Sequence, residues 1–328
     1  MAGSRPERSI GDLGIIVVSY NTREITLEAL RALKRETDPD LYELIVVDNA
    51  SSDGSAGAIA AEFPDLHLVA LDENIGFAKA NNLAADMMRT RYLLLLNPDT
   101  LILDNSVGKL LQFAVDHPRA RIWGGRTLFA DERLNPSSCW NKMTLWSVFC
   151  QLTGLKALFP GSRLFNSEAI GSWQRNSVRE VDIVSGCFLM IERSLWQALG
   201  GFDTGYFMYG EDADLCLRAK RTGARPIICP AAELIHYGGA SERVRAEKMV
   251  RLLTAKTTLM RHHWSVLTRV PGYAVFWAFP LPRILGYGLA EFLRGRTSDR
   301  ENLRTWLQVW HARRDWLSGY PTNTRSSR

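Results

Sequence analysis

The sequence predicts an α/β fold: a mostly parallel central sheet flanked by helices, continued by a helical C-terminal extension. Three observations carry this reading. Four short apolar runs, LGIIVVSY (13–20), YELIVV (42–47), LHLVAL (66–71) and YLLLL (92–96), recur in the first hundred residues. The first two are continuous enough to be buried strands, and the third and fourth read as further strands. Helix-length segments separate them, which is the pattern of βαβ units and a parallel sheet. Beyond about residue 243 the chain turns basic and aromatic.

Each element has its own local signal. After the first run, Asn21 and Glu24 stand three apart like a capping box, and Ile25, Leu27, Leu30 and Leu33 supply an apolar helix face. The second run ends in the turn sequence NASSDGS (49–55), which leads into a short helix. Gly76 precedes a helix predicted through Met88. The fourth strand stops at Asn97-Pro98-Asp99, because proline cannot serve a central ladder. Residues 125–180 read as mostly irregular, with Trp140, Trp146 and Trp173 among Ser, Asn and Gly. VDIVSGCFLMIE (181–192) reads as a strand pair or one strand broken at Gly186. A helix is predicted from Glu211 to Gly223, a residue suited to the position after a helix end. RPIIC (225–229) is a further strand leading to His236.

The chain has 328 residues, of which 46% are hydrophobic and 23% charged. Length suggests about two domains, and this composition excludes disordered, collagen-like and coiled-coil chains. Five widely spaced cysteines with no CxxC pair argue against a disulfide framework and a structural zinc, and for a reducing, cytoplasmic compartment. The first twelve residues are expected to be disordered and hold no apolar run of the signal-peptide kind. The net charge of +5 conceals a division: residues 241–328 hold 16 Lys and Arg against 6 Asp and Glu, while residues 1–240 are net acidic. A basic tail on an acidic body is expected to meet an anionic partner. Val270–Pro282 is uncharged and aromatic, but it is too short to cross a bilayer and contains three prolines. It reads either as a segment lying in a membrane interface or as a helical hairpin packed on the body. Nucleic acid is the weaker partner, since phosphate tracking needs no such apolar run.

In parallel sheets ligands bind beyond the carboxyl ends of the strands. Here Ser19-Tyr20-Asn21, Asp48-Asn49, Asp72 to Asn74 and Asn97-Pro98-Asp99 gather at those ends. The Asp99 carboxylate is a hard ligand suited to Mg²⁺ or Mn²⁺, although Pro-Asp-Thr is also an ordinary turn. Asp48 is placed to accept from a base or a ribose. Glu211, Asp212 and Asp214 suit a helix N-terminus through the macrodipole. Three acids so close together after FMYG (207–210) exceed that need, and one is a candidate general base. His236 is either a structural histidine or a second metal ligand beside Asp99.

Taken in order, VVSYN (17–21), ELIVVDNASSDGS (43–55), ENIGFAKANN (73–82), LLLNPDT (94–100), VSGCFLMI (184–191), GGFDTGYFMYGEDADLCLR (200–218) and HYGGAS (236–241) resemble the inverting family 2 glycosyltransferases. These have the GT-A fold, a Rossmann-like sheet with flanking helices, and the nearest branch is the rhamnosyltransferase-like one. The resemblance covers about residues 13–265. It implies a catalytic domain over 13–242, with a nucleotide-binding half (about 13–100) and an acceptor half (about 101–242), and a tail over 243–328. It places Val18, Ser19, Tyr20 and Asn21 around the base, and Asp48 on the base or ribose. Asn74, Gly76 and Lys79 fall near the nucleotide and diphosphate, with Asn81 a weaker candidate. Asn97 stands where the family has the first Asp of DxD, which leaves Asp99 as principal metal ligand with His236 beside it. Asp212 matches the base, with Glu211 and Asp214 orienting the acceptor or the helix. Ser185 and Gly186 match a segment near the donor sugar, and Trp173 is a sugar-stacking candidate.

The implied reaction is metal-dependent transfer with inversion from a nucleoside diphosphate sugar to a saccharide or lipid-linked saccharide. The branch suggests dTDP-rhamnose, with UDP- or GDP-hexoses as alternatives. The implied location is the inner face of the cytoplasmic membrane, reached by a tail that binds anionic lipid. A nucleotidyltransferase would want a Gly-rich loop after strand one, where this chain has SYNTRE. A non-catalytic nucleotide-sugar binder would not need both Asp99 and Asp212.

Overall fold

The structure is a computed structural model of the chain and describes residues 12–238 and 245–321. The expected disorder at the N-terminus, and the Gly239-Ala240-Ser241 part of the last motif, lie outside the described residues. The order is β1 (Leu13–Ser19), α1 (Arg23–Glu36), β2 (Tyr42–Asp48), α2 (Ser55–Glu62), β3 (His67–Ala70), α3 (Phe77–Met87), β4 (Tyr92–Leu96), β5 (Thr100–Ile102) and α4 (Ser106–Asp116). Then come β6 (Ile122–Leu128), β7 (Cys139–Trp140), α5 (Leu145–Leu152), α6 (Leu155–Leu158), β8 (Arg179–Glu180), β9 (Ile183–Val184), β10 (Phe188–Glu192), α7 (Arg193–Leu199), α8 (Glu211–Arg221) and β11 (Ile227–His236). Five helices close the chain: α9 (Arg245–His263), α10 (Val266–Trp277), α11 (Leu281–Arg294), α12 (Thr297–His311) and α13 (Arg313–Ser318).

The main sheet runs β3-β2-β1-β4-β10-β6-β11-β5, with β8 added beside β11. Strands β1 to β4 are mutually parallel, as the apolar runs predict. The chain steps outward from β1 to β3 and then returns to the other side of β1 for β4, so a crevice opens at the carboxyl ends of β1 and β4. Beyond β4 the sheet is mixed: β10 is antiparallel to both neighbours, and β11 is parallel to β6 but antiparallel to β5.

Alternation explains the continuous apolar runs. Leu13, Ile15 and Val17 join the core under α1 and α4, while Ile16 and Val18 join the core on the α3, α7 and α8 side. Full burial of one such side chain stabilises the fold by about 1.5–3 kcal/mol, so these two layers outweigh any helix signal in the sequence.

Four local expectations need correction. Asn21 does not cap α1: the N-cap is Thr22, with no side-chain capping bond. Asn21 instead adopts φ 52°, which Asn tolerates, and its Oδ1 accepts the Ser52 N–H at 2.7 Å, joining the loops after β1 and β2. The strand expected at 225–229 runs on to His236, because a register shift between Ile228 and Glu233 accommodates Pro230. The irregular segment holds α5 and α6. Pro271 does not break the tail but lies inside α10, while Pro280 and Pro282 mark the start of α11.

The tail forms a helical unit with its own core of Leu253, Met260, Phe276, Phe279, Val309 and Trp316, joined by Val148 of α5. The packed-hairpin reading therefore describes its inner face. Its outer face leaves Leu267 at 88% and Phe292 at 85% exposure, together with Val270, Leu285 and Leu289. No described helix is long and apolar enough to cross a membrane.

Candidate active site

The strand ends and the loop before α8 enclose one cavity of about 1000 Å³. Val18 and Tyr20 reach it from the end of β1, Asn49 from β2, Asn74 and Gly76 from the loop before α3, and Asn97 to Asp99 from the end of β4. Ser185 and Gly186 come from the β9–β10 break, Glu211 and Asp212 from the first turn of α8, and His236 from the end of β11. Asp99 and Asp212, far apart in the chain, thus share one cleft.

Sheet register brings Asp99 and His236 together. Thr100 pairs with His236 across β5 and β11, and the Tyr237 N–H donates to the Asp99 carbonyl at 3.0 Å. His236 Nε2 lies 3.3 Å from Asp99 Oδ1, and the other ring nitrogen is 3.4 Å from the Ser137 hydroxyl. Burial opposes a charge on the imidazole, but Cys187 and the Asp99 carboxylate outweigh it and raise His236 to about 10.

The other wall is built on backbone conformation. Gly210, at φ 88°, begins α8, so the three acids fall in its first turn. Asp212 Oδ2 accepts the Gly186 N–H at 2.9 Å and Oδ1 accepts the Ala213 N–H at 2.7 Å. Burial raises the Asp212 pKa, and these two donors partly offset it. Glu211 is deeper, its Oε2 has no partner, and burial together with the neighbouring Asp212 pushes it up to about 8. Asp214 does different work. Burial alone would raise it, but His263 at 2.8 Å and Arg218 at 2.6 Å hold it below its ordinary value, and the three groups tie α8 to α9.

At the ends of β2 and β3, the Asn49 amide donates to Asn74 Oδ1 at 2.9 Å, and Asn74 Oδ1 also accepts the Gly76 N–H. Gly76 sits at φ 84°, and a Cβ there would lie 2.9 Å from the Phe207 carbonyl oxygen. The Phe77 N–H donates to that same oxygen, so the loop before α3 and the FMYG segment are held as one unit.

Several residues named from the sequence do not line this cavity. Ser19 is buried beneath it, bonded to Thr22 and Thr26. Asn21 bridges the two loops instead, and Lys79 and Asn81 lie on α3 outside the lining. Asp48 is buried behind it: Oδ2 accepts the Ser51 N–H at 3.0 Å, while Oδ1 has no partner. Trp173 is packed away, donating to Ser177 with Arg175 and Arg179 against its ring, and the cavity takes Trp140 and Trp264 instead. Sequence reading missed Lys142, Lys156, Glu168 and Lys256, which line the far end. They come from segments with no spacing signal: bonds from Asn141, Ser147 and Gln151 fix the 167–168 segment, and Lys256 joins it from the tail.

Comparison with known proteins gives the family and the fold. The sequence profile of Glycosyl transferase family 2 matches residues 14–195. An N-acetylglucosaminyl-diphospho-decaprenol L-rhamnosyltransferase of Mycobacterium tuberculosis is 26% identical over 305 residues, covering 89% of this chain and 94% of that protein. Rhamnosyltransferase WbbL of Escherichia coli is 28% identical over 253 residues, covering 72% of this chain and 88% of the relative. The mannosyltransferase PcManGT of Pyrobaculum calidifontis, solved with GDP-Man and Mn²⁺, superposes with a TM-score of 0.56 at 20% identity. That alignment covers 93% of this chain and 87% of the mannosyltransferase, and it shows a shared GT-A fold. The chain belongs to glycosyl transferase family 2, is an enzyme of that family, and is rhamnosyltransferase-like in sequence.

Proposed function

We propose that this enzyme transfers a sugar, with inversion, from a nucleoside diphosphate sugar to a saccharide or lipid-linked saccharide in bacterial cell-surface polysaccharide synthesis. L-Rhamnose from dTDP-rhamnose is the first candidate donor, because rhamnosyltransferases are among its curated relatives. A UDP- or GDP-hexose is the alternative. The observation that carries the reading is the single cavity lined by both Asp99 and Asp212.

The roles follow from chemistry. Val18 and Tyr20 wall the base end, while Asp48, buried behind the cavity, holds the Ser51 turn. The Asn74–Gly76 loop positions the diphosphate. Asp212, its carboxylate aimed by Gly186 and Ala213, takes the proton of the acceptor hydroxyl as that oxygen bonds to the anomeric carbon and the bond to the diphosphate breaks. One displacement inverts the centre, and no protein nucleophile is needed.

Mg²⁺ or Mn²⁺ fits Asp99, a hard carboxylate on the cavity wall, and His236 in contact with it would ligate only on giving up its ring proton. No cluster of three or more possible ligands occurs among the described residues, so the donor's phosphate oxygens and water would complete the coordination. When bound, the cation supplies charge stabilisation for the departing diphosphate.

The basic tail suits an anionic membrane surface, and the exposed apolar face of α10 and α11 supports contact at the inner face of the cytoplasmic membrane. A thermal-shift screen of nucleoside diphosphates and their sugars with Mn²⁺ or Mg²⁺ tests the donor reading. Saturation at about 100 times Kd stabilises the native state by roughly 2.7 kcal/mol, a clear rise in Tm. No shift with any nucleotide and either metal would contradict the reading.

A further inference from the structure

The cavity does not end at Asp212. Its lining also takes in Leu252, Ala255, Leu259 and Lys256 of α9, Lys142, Lys156 of α6, and Glu168. Nothing in the donor chemistry requires this lobe. Its charge is unbalanced. Glu168 is buried and accepts from Lys256 at 2.9 Å, from Ser147 and from Gln151, so its charge is met. Asp182 pairs with Lys220 and also accepts the Lys142 backbone N–H. Lys142 and Lys156 remain, and neither forms an ion pair among the described residues. Burial lowers the Lys156 pKa and Glu168 only partly restores it, as befits an ammonium short of an anion.

Beside Lys156 the surface is apolar. Leu158 and Phe159 follow it on and after α6, exposed at 71% and 49%, and Trp146 stacks on Phe149 of α5 with ring centroids 5.6 Å apart. Helix α5 also packs against α10, whose outer face carries Leu267 and Val270. A cationic recess opening beside an apolar shelf matches a molecule with an anionic linker between a sugar and a hydrocarbon chain.

We propose that this lobe is the acceptor's diphosphate subsite: Lys156, with Lys142 and the Glu168-anchored Lys256, holds the diphosphate of a lipid-linked saccharide, and its chain leaves across the α5–α6 shelf. The proposal rests on the transferase reading and names its acceptor class. It places the saccharide between the lysines and Asp212, so the hydrocarbon never enters the donor half.

Lys156 is the residue to test, because it is only partly buried and removing it orphans no buried carboxylate, whereas Lys256→Gln would strip Glu168. A short isoprenyl diphosphate, inorganic pyrophosphate and the matching isoprenol are titrated into the full chain saturated with a nucleoside diphosphate and Mg²⁺. The isoprenyl diphosphate binds at least about tenfold more tightly than pyrophosphate, and the isoprenol binds weakest. Lys156→Gln weakens isoprenyl diphosphate binding about tenfold or more, and Lys156→Arg restores most of it. Unchanged binding in Lys156→Gln overturns the subsite. Equal affinity for pyrophosphate and isoprenyl diphosphate overturns the lipid-linked source. Nucleoside diphosphate binding, measured first on the same samples, reports separately on the donor reading: its failure there, with isoprenyl diphosphate still bound through Lys156, faults the donor site and leaves the subsite standing.

Discussion

Glu211 and Asp212 are adjacent acids in unlike surroundings, and each makes its own prediction. Glu211 is held neutral to about 8, so the stability this gives is full below its ordinary value of 4.5 and is lost as pH rises through about 8. Glu211→Gln cannot ionise. Its Tm relative to wild type should therefore climb as pH is raised from about 5 to about 9, and a pH-independent difference would contradict the burial argument. The same substitution keeps a neutral side chain beside Asp212, as Glu211 itself is below about 8, so the acidic limb of kcat/KM should stay where it is. Gly76→Ala forces a Cβ onto the Phe207 carbonyl at positive φ, and should cost about 2 kcal/mol or more in denaturant unfolding. At this scale the sequence was partly legible. Asp99, His236 and Asp212 announce themselves by motif. Asp48 and Trp173 have motif-like neighbours, but their own side chains are decided by packing. Lys156 and Glu168 are invisible, because only the three-dimensional fold makes them neighbours.

At the scale of elements, β1 to β4 were readable because each is continuous, apolar and bounded by turn residues. β5, β7 and β8 were not, since strands of two or three residues are defined by partners rather than by their own pattern. β11 was read too short because a proline in a strand normally ends it, and here a register shift absorbs it. In the tail, the basic and aromatic composition signalled contact with something anionic, but not which residues turn inward. Phe276 and Phe279 are core, whereas Leu285, Leu289 and Phe292 of α11 face out. Cutting the tail would expose the core it shares with α5, so surface substitutions are the cleaner probe. Leu285→Gln, Leu289→Gln and Phe292→Gln combined should reduce sedimentation with anionic liposomes several-fold while leaving Tm within a few degrees. Equal sedimentation by the triple variant would remove this face from membrane contact.

For the whole molecule, the sheet's switch point opens the crevice, the β5–β11 register delivers Asp99 and His236, and the first turn of α8 delivers Asp212 to the same cavity. The tail then extends that cavity toward its basic end. The proposed division of labour gives Asp99 the donor's diphosphate and Asp212 the acceptor's hydroxyl. The most direct test measures two quantities on Asp212→Asn, nucleotide affinity with Mn²⁺ by calorimetry and sugar transfer to a lipid-linked acceptor. The account predicts affinity within about threefold of wild type and transfer slowed by roughly 10²–10⁴. Transfer at the wild-type rate would show that the proton leaves by another route and would contradict the central assignment.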